Sequence, residues 1–223
     1  MNAWTLDTLW DGQLALYQPR PGDGYRFNVD AVHLARFASE KPAKRALDLG
    51  SGVGAVGLSL LHLRAAAHVT LVDHEPRYLQ LASKSIEALA WQSRVHCIER
   101  AVESLSLSDK FDLIVSNPPY TEPGAGRSSK AGSARQGALA PFVKAARAHL
   151  GARGRFACVY PAREWQHLLA CLAGAGLVPK RARFVHAKSD AAARVVLVEA
   201  SAGKPGGLQV DPPLIEVGTR DRE

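Results

Sequence analysis

From about residue 45 onward, short apolar runs alternate with stretches of helical spacing, and no other feature restricts the possible folds so strongly. Strands are expected at Ala46 to Leu49, Val69 to Val72, Val95 to Ile98, Phe111 to Val115 and Phe156 to Tyr160. Helices are expected at about 54–64, Tyr78 to Leu89, Leu139 to Leu150 and Glu164 to Ala175. Strands alternating with helices imply a parallel sheet covered on both faces. Two further apolar runs, Leu177 to Phe184 and Val195 to Ala200, have no helix between them and predict an antiparallel hairpin. The expected fold class is therefore α/β: a Rossmann-like, doubly wound, mostly parallel seven-stranded sheet with an antiparallel C-terminal hairpin.

Ahead of this pattern, Leu14 to Gln18 reads as a small β element, residues 21–24 as a turn, and Asp30 to Ala38 as a helix with an apolar face. Residues 1–40 are expected to pack on one edge of the core, with 41–223 as the main domain of a single structural unit. The Gly-, Ser- and charge-rich stretch Thr121 to Gly137 reads as a long mobile loop, and such loops are usually functional.

With 47% hydrophobic and 22% charged residues, disorder, collagen and coiled coil are excluded as global descriptions. No apolar run approaches the roughly 18 residues that span a bilayer, and Met1 to Trp10 lacks a basic stretch followed by an apolar one. The expectation is a cytoplasmic protein with no membrane partner. Cys97, Cys158 and Cys171 are an odd, scattered set, which predicts reduced thiols, and the eight histidines have no metal-ligand spacing, so no metal is expected. Net charge is +7, but residues 120 to 200 hold 13 Lys/Arg against 4 Asp/Glu and carry the whole excess. Such one-sidedness suits a polyanion partner, and equally a solvated basic face.

Leu47-Asp48-Leu49-Gly50-Ser51-Gly52-Val53-Gly54 stands where a strand gives way to a helix. Its glycines let a backbone approach a ligand, and Asp48 offers a carboxylate. Asp73, at the end of the next strand, is placed to accept from a ribose. A nucleoside cofactor is the natural reading. Gly52, Gly54 and Gly57 also spell G-x-G-x-x-G, which leaves a dinucleotide open, although Asp48 would oppose a pyrophosphate and favour the cationic end of S-adenosylmethionine.

After the fourth strand comes Ser116-Asn117-Pro118-Pro119-Tyr120. An exocyclic amine on a base, or an amide, has a delocalised lone pair and needs acceptors on its hydrogens as a methyl group arrives. The Asn117 side-chain carbonyl and the Pro118 backbone carbonyl can supply them, since two prolines force an extended loop. Tyr120 can stack on a planar substrate. Lys180, Arg181, Arg183 and Lys188, with Arg127, Lys130 and Arg135 in the loop, are the candidate RNA-backbone contacts.

Leu47 to Gly54, Asp73 and Asn117 to Tyr120 resemble the class I S-adenosylmethionine-dependent methyltransferases with an Asn-Pro-Pro-Tyr motif. Tyr17-Gln18-Pro19, Gly24 to Ala35, Arg183 to His186, Arg194 to Ala200 and Pro213-Leu214 resemble, more narrowly, the bacterial family that N6-methylates the adenine beside the anticodon of valine tRNA. The resemblance implies a class I methyltransferase fold, S-adenosylmethionine as cofactor, structured RNA (tRNA) as substrate, and a monomer or weak homodimer. It implies catalytic roles for Asn117, Pro118, Pro119 and Tyr120, and a cofactor set of Phe27, Asp30, Asp48, Gly50, Ser51, Gly52, Gly54, Asp73, His74, Val102 and Asn117. Two departures stand out: Ala101 where such enzymes carry an Asp, with Glu99 or Glu103 as candidates to compensate, and Arg135-Gln136-Gly137 where Arg-His-Glu is expected. Relatives also usually continue beyond the position of Glu223. Methylation of guanine N2 in rRNA or of a protein glutamine amide uses the same motif. An NAD(P)-dependent oxidoreductase and a non-catalytic cofactor-binding module are the alternatives of other classes.

Overall fold

The computed structural model describes residues 4–119, 130–203 and 206–216; for 130–138 only the backbone is described. The elements run β1 (Trp4–Leu9), β2 (Leu14–Pro19), α1 (Val29–Ala38), β3 (Ala43–Leu49), α2 (Ala55–His62), β4 (Ala66–Asp73), α3 (Pro76–Ala88), β5 (Val95–Glu99), β6 (Phe111–Ser116), α4 (Lys130–His149), β7 (Leu150–Pro161), α5 (Trp165–Gly174), β8 (Val178–His186), β9 (Ala193–Ser201), β10 (Gln209–Val210) and β11 (Leu214–Ile215). Short 3₁₀ turns cover Val102–Ser104 and Ala162–Glu164.

The main sheet has the order β10-β8-β9-β7-β6-β3-β4-β5, with β11 also on β8. Strands β3 to β7 are parallel, while β9 is antiparallel to both β7 and β8. Strand β3 lies between β4 and β6, so the chain winds outward in both directions from it, and the crevice above its carboxyl end is the topological switch point where such sheets bind ligands. Alternation along the strands divides the core. Leu113 and Val115 face the side covered by Leu34, Leu58 and Ala82 of α1, α2 and α3, whereas Ile114 faces the side covered by Val143 of α4 and Leu172 of α5.

The structure departs from the sequence expectations in four places. Strand β1 was not expected; it pairs antiparallel with β2 in a separate ribbon across a turn containing Trp10 and Asp11, both at positive φ, and Gly12. That ribbon shares the common core, for Leu14 and Leu16 are fully buried and the Tyr17 N–H donates to Ser85 Oγ of α3 at 2.9 Å. Helix α4 starts at Lys130, which overturns the loop expectation for 130–137, because a helix already packed from Leu139 to Ala146 extends at one hydrogen bond per residue without a second costly nucleation; residues 121–129 lie outside the described residues. The expected seven strands become nine, since β10 and β11 add two residues each to the exposed edge of β8. Strand β7 begins at Leu150, directly after α4, and not near Phe156.

Candidate active site

Three strand ends form the site. The Ser116 hydroxyl, fully buried at the end of β6, donates to the Leu49 carbonyl at 2.8 Å, locking the β3 and β6 ends together. The Ser51 N–H donates to the Val72 carbonyl at 2.9 Å, tying the glycine loop to β4. Asp73 then organises that loop: one carboxylate oxygen accepts from the Gly52 N–H at 2.7 Å and the other from the Glu75 N–H at 2.9 Å. Gly50 and Gly52 stand at φ +66° and +54°, the left-handed region that side chains disfavour.

Above these ends lies a cavity of about 600 Å³, lined among others by Gly50, Gly52, Asp73, Asn117, Pro118 and Pro119. It falls within the range of roughly 300–1,000 Å³ usual for small-molecule sites. His74 and Val102 also line it, as do Ala101 and Glu103 after β5. A Cβ on Gly50 would stand 2.7 Å from the Phe142 ring on α4, so the loop floor and its aromatic neighbour fit only with glycine there. A glycine floor, a wall carboxylate 6% exposed and apolar sides fit S-adenosylmethionine.

Several expected site residues are placed elsewhere. Asp48 is 1% exposed and does not line the cavity; its carboxylate accepts from the Gly57 N–H in the first turn of α2 at 2.8 Å, as a remote cap of that helix. Burial pushes the Asp48 carboxyl up to about 7 despite that hydrogen bond, and the charge of Asp73 adds to the rise. Direct contact between Asp48 and the cofactor is thereby corrected. Asp30 is fully buried and paired with Arg194 at 2.7 Å, beside Asn28, which caps α1 and does reach the cavity. Phe27 packs against the core instead, and Ser51 and Gly54 act through the loop and as the N-cap of α2. Tyr120 and Arg127 lie outside the described residues, as do the side chains of Lys130 and Arg135. Tyr25, Asn28, Tyr78 and Phe142 line the cavity without having been singled out from the sequence, and Glu103, a candidate to compensate for Ala101, lines it as well. Only Tyr25 and Asn28 of the four fell within a quoted motif segment; no sequence signal marks Tyr78 or Phe142.

The basic cluster divides. Arg181 donates to Asp211 at 2.6 Å, pairs with Glu40, and covers the Phe37 ring at 4.2 Å. Arg183 faces the same Asp211 at 3.6 Å. Burial opposes ionisation of Asp211, but its hydrogen bonds from Arg181 and Gln209 hold the carboxyl below its ordinary value. Lys180 donates to the Gly206 carbonyl at 2.8 Å. The assignment of Arg181 to RNA is corrected accordingly, since Asp211 and Glu40 already neutralise it, whereas Arg183 has only a distant share of Asp211. Lys188 is exposed in the β8–β9 turn. The described thiols are free, no described group of side chains has metal-site geometry, and no described helix is long and apolar enough to cross a membrane.

A parallel sheet with its cavity at the switch point, a glycine loop closed by Asp73 and an Asn-Pro-Pro turn opposite define a nucleoside-cofactor transferase class, and comparison with known proteins makes it specific. Residues 30–175 match the methyltransferase small domain, and the chain belongs to that family. A tRNA1(Val) (adenine(37)-N6)-methyltransferase of Glaesserella parasuis is 30% identical over 147 residues, covering 65% of this chain and 63% of the relative. One from Tolumonas auensis is 28% identical over 179 residues, covering 78% and 75%. The first of these matches, and one from a Flavobacteriaceae bacterium at 60%, thus span about six-tenths of the relatives' length. Among solved structures, a predicted O-methyltransferase from Agrobacterium tumefaciens superposes with TM-score 0.66 at 24% identity over 86% of this chain and 90% of the other. A tRNA m1G37 methyltransferase from M. jannaschii gives 0.66 at 13% identity, over 91% and 57%. At such identities the likeness is one of fold, and the fold is that of the class I methyltransferases.

Proposed function

We propose that this chain is an S-adenosylmethionine-dependent N-methyltransferase acting on the exocyclic N6 of an adenine in structured RNA, a tRNA near its anticodon. The carrying observation is that Asn117, Pro118 and Pro119 line the same cavity as Gly50, Gly52 and Asp73, so an acceptor nitrogen and the cofactor share one enclosure. The names of the relatives point to the same base and the same RNA class.

Bound S-adenosylmethionine supplies an electrophilic methyl group; the remaining work belongs to this chain. Asp73 and the loop from Gly50 to Gly52 orient the cofactor, and family membership favours it over the dinucleotide that the glycine spacing allowed. The base leaves its stack to enter the cavity. The Asn117 side-chain oxygen and the Pro118 carbonyl accept from its amino hydrogens, drawing electron density onto nitrogen as it rehybridises, and one of those protons is released to solvent once the nitrogen carries the methyl group. Catalysis is then chiefly alignment and electrostatics. Guanine N2 in rRNA is another outcome of the nucleoside test below, and a protein glutamine amide is an outcome of peptide mass spectrometry on the same cells. Mass spectrometry of modified nucleosides, in RNA from cells with and without the protein, should show loss of N6-methyladenosine from one tRNA. Unchanged tRNA accompanied by a change in rRNA or protein methylation would replace the proposed acceptor.

A further inference from the structure

Tyr25, in the connection leading into α1, has no part in the chemistry above, yet three contacts centre on it. Its hydroxyl accepts from the Asn117 side-chain Nδ2 at 3.3 Å. Its ring lies beside Gly52, 3.8 Å from where a Cβ would stand. Its backbone N–H donates to the Tyr78 hydroxyl of α3 at 2.9 Å, which anchors the residue from behind. One side chain therefore joins the loop after β3 to the turn after β6 across the cavity it lines.

The two ends of an asparagine amide differ only in that one accepts and the other donates, so a side chain free to turn would offer the wrong end half of the time. We propose that Tyr25 is a positioning residue for methyl transfer: its hydroxyl holds the Nδ2 end of Asn117 and so presents Oδ1 to the acceptor nitrogen. The inference rests on the proposed methyl transfer. Tyr25 is half exposed, but desolvation at its hydroxyl end, reinforced by Asp30 and Asp48, raises the phenol above its ordinary value, so the hydroxyl is neutral at neutral pH.

Tyr25→Phe keeps the ring and removes the hydroxyl. With saturating cofactor, its single-turnover rate should fall by between about twofold, the loss from random amide orientation alone, and about tenfold, the full worth of one hydrogen bond, with cofactor affinity by calorimetry unchanged. In an Asn117→Ala background the same change should cost nothing further, because its target is gone. A role confined to ring packing would instead leave Tyr25→Phe at the wild-type rate and place the loss in the cofactor affinity of Tyr25→Ala; that result, or additive losses, overturns the proposal. Nuclear magnetic resonance tests the contact without any acceptor: the Asn117 side-chain amide signals, assigned by their loss in Asn117→Ala, should shift in Tyr25→Phe, and unshifted signals also overturn it. A wild-type protein inert on RNA would refute the functional reading alone, since the amide signals would still decide the role of Tyr25.

Discussion

At the scale of single residues, Asn117 and the two strand-end aspartates carry distinct tasks. Asn117→Ala should lower the rate of methyl transfer by roughly 10²–10³, as loss of one polar group acting on developing charge does, with cofactor binding nearly intact. Single-turnover kinetics on a defined tRNA measures this, and a wild-type rate would refute the mechanism. Asp73→Ala should weaken S-adenosylmethionine by about 1.5–3 kcal/mol, because the cavity loses a charged acceptor and the Gly52 N–H loses its partner. Calorimetry with unchanged affinity would misplace the cofactor. Asp48 behaves differently. Its folded value of about 7 lies above the ordinary 3.8, so the folded state keeps a proton that the unfolded chain releases. Its contribution to stability is therefore full below about pH 4 and is lost as pH rises through 7. Asp48→Asn keeps an acceptor for Gly57 and should gain stability relative to wild type between pH 5 and 8 in urea titrations. A constant difference across that range would mean that Asp48 ionises normally.

At the scale of elements, the positions of α1 and α4 decide the cavity. Gly50→Ala strains a left-handed residue and drives a methyl into Phe142, so it should cost about 1–3 kcal/mol and displace α4 from the cavity wall. Thermal melts should show the loss, and Phe142→Leu in the same chain should restore part of it; no recovery would place the cost in the backbone alone. Arg181 fastens the other end of α1, where it donates to the Phe37 carbonyl at 3.3 Å. That point is about 13–14 Å along the helix from the cavity-lining Asn28. Arg181→Ala leaves Asp211 without its main partner and should cost about 2–3 kcal/mol while leaving RNA affinity little changed. A wild-type melting curve would mean the ion pair contributes nothing.

For the whole molecule, the question is where a polyanion can lie. Asn117 follows β6, Arg163 follows β7 and Lys188 follows β8, and these three strands run in the same direction. The exposed Lys188 therefore stands at the cavity end of the sheet, as does Arg163, which is exposed and only loosely paired with Glu164 at 3.9 Å. Reversing both should weaken RNA binding across sequences and flatten the logarithmic salt dependence by about 0.7–0.9 per lost phosphate contact, leaving cofactor affinity alone. An unchanged slope would make this edge a solubilising surface.

Hydrophobic period, glycine spacing and the Asn-Pro-Pro run are local properties, and they sufficed for the succession of elements along the chain, the glycine loop and the motif turn, because each depends on residues near one another in the chain. Resemblance added the family, which the match over residues 30–175 shows. What neighbouring residues could not tell was how carboxylates and cations would be used. Asp48 and Asp73 both end strands, yet Asp48 is turned beneath α2 and only Asp73 reaches the cavity. Arg181 and Lys188 looked alike as basic residues until β10 brought Asp211 to one of them. Tyr25 is an ordinary turn tyrosine until β6 sets Asn117 opposite, 92 residues away in the chain. Each outcome is a long-range pairing, set by which strand lies beside which, and that was decided only when the sheet assembled.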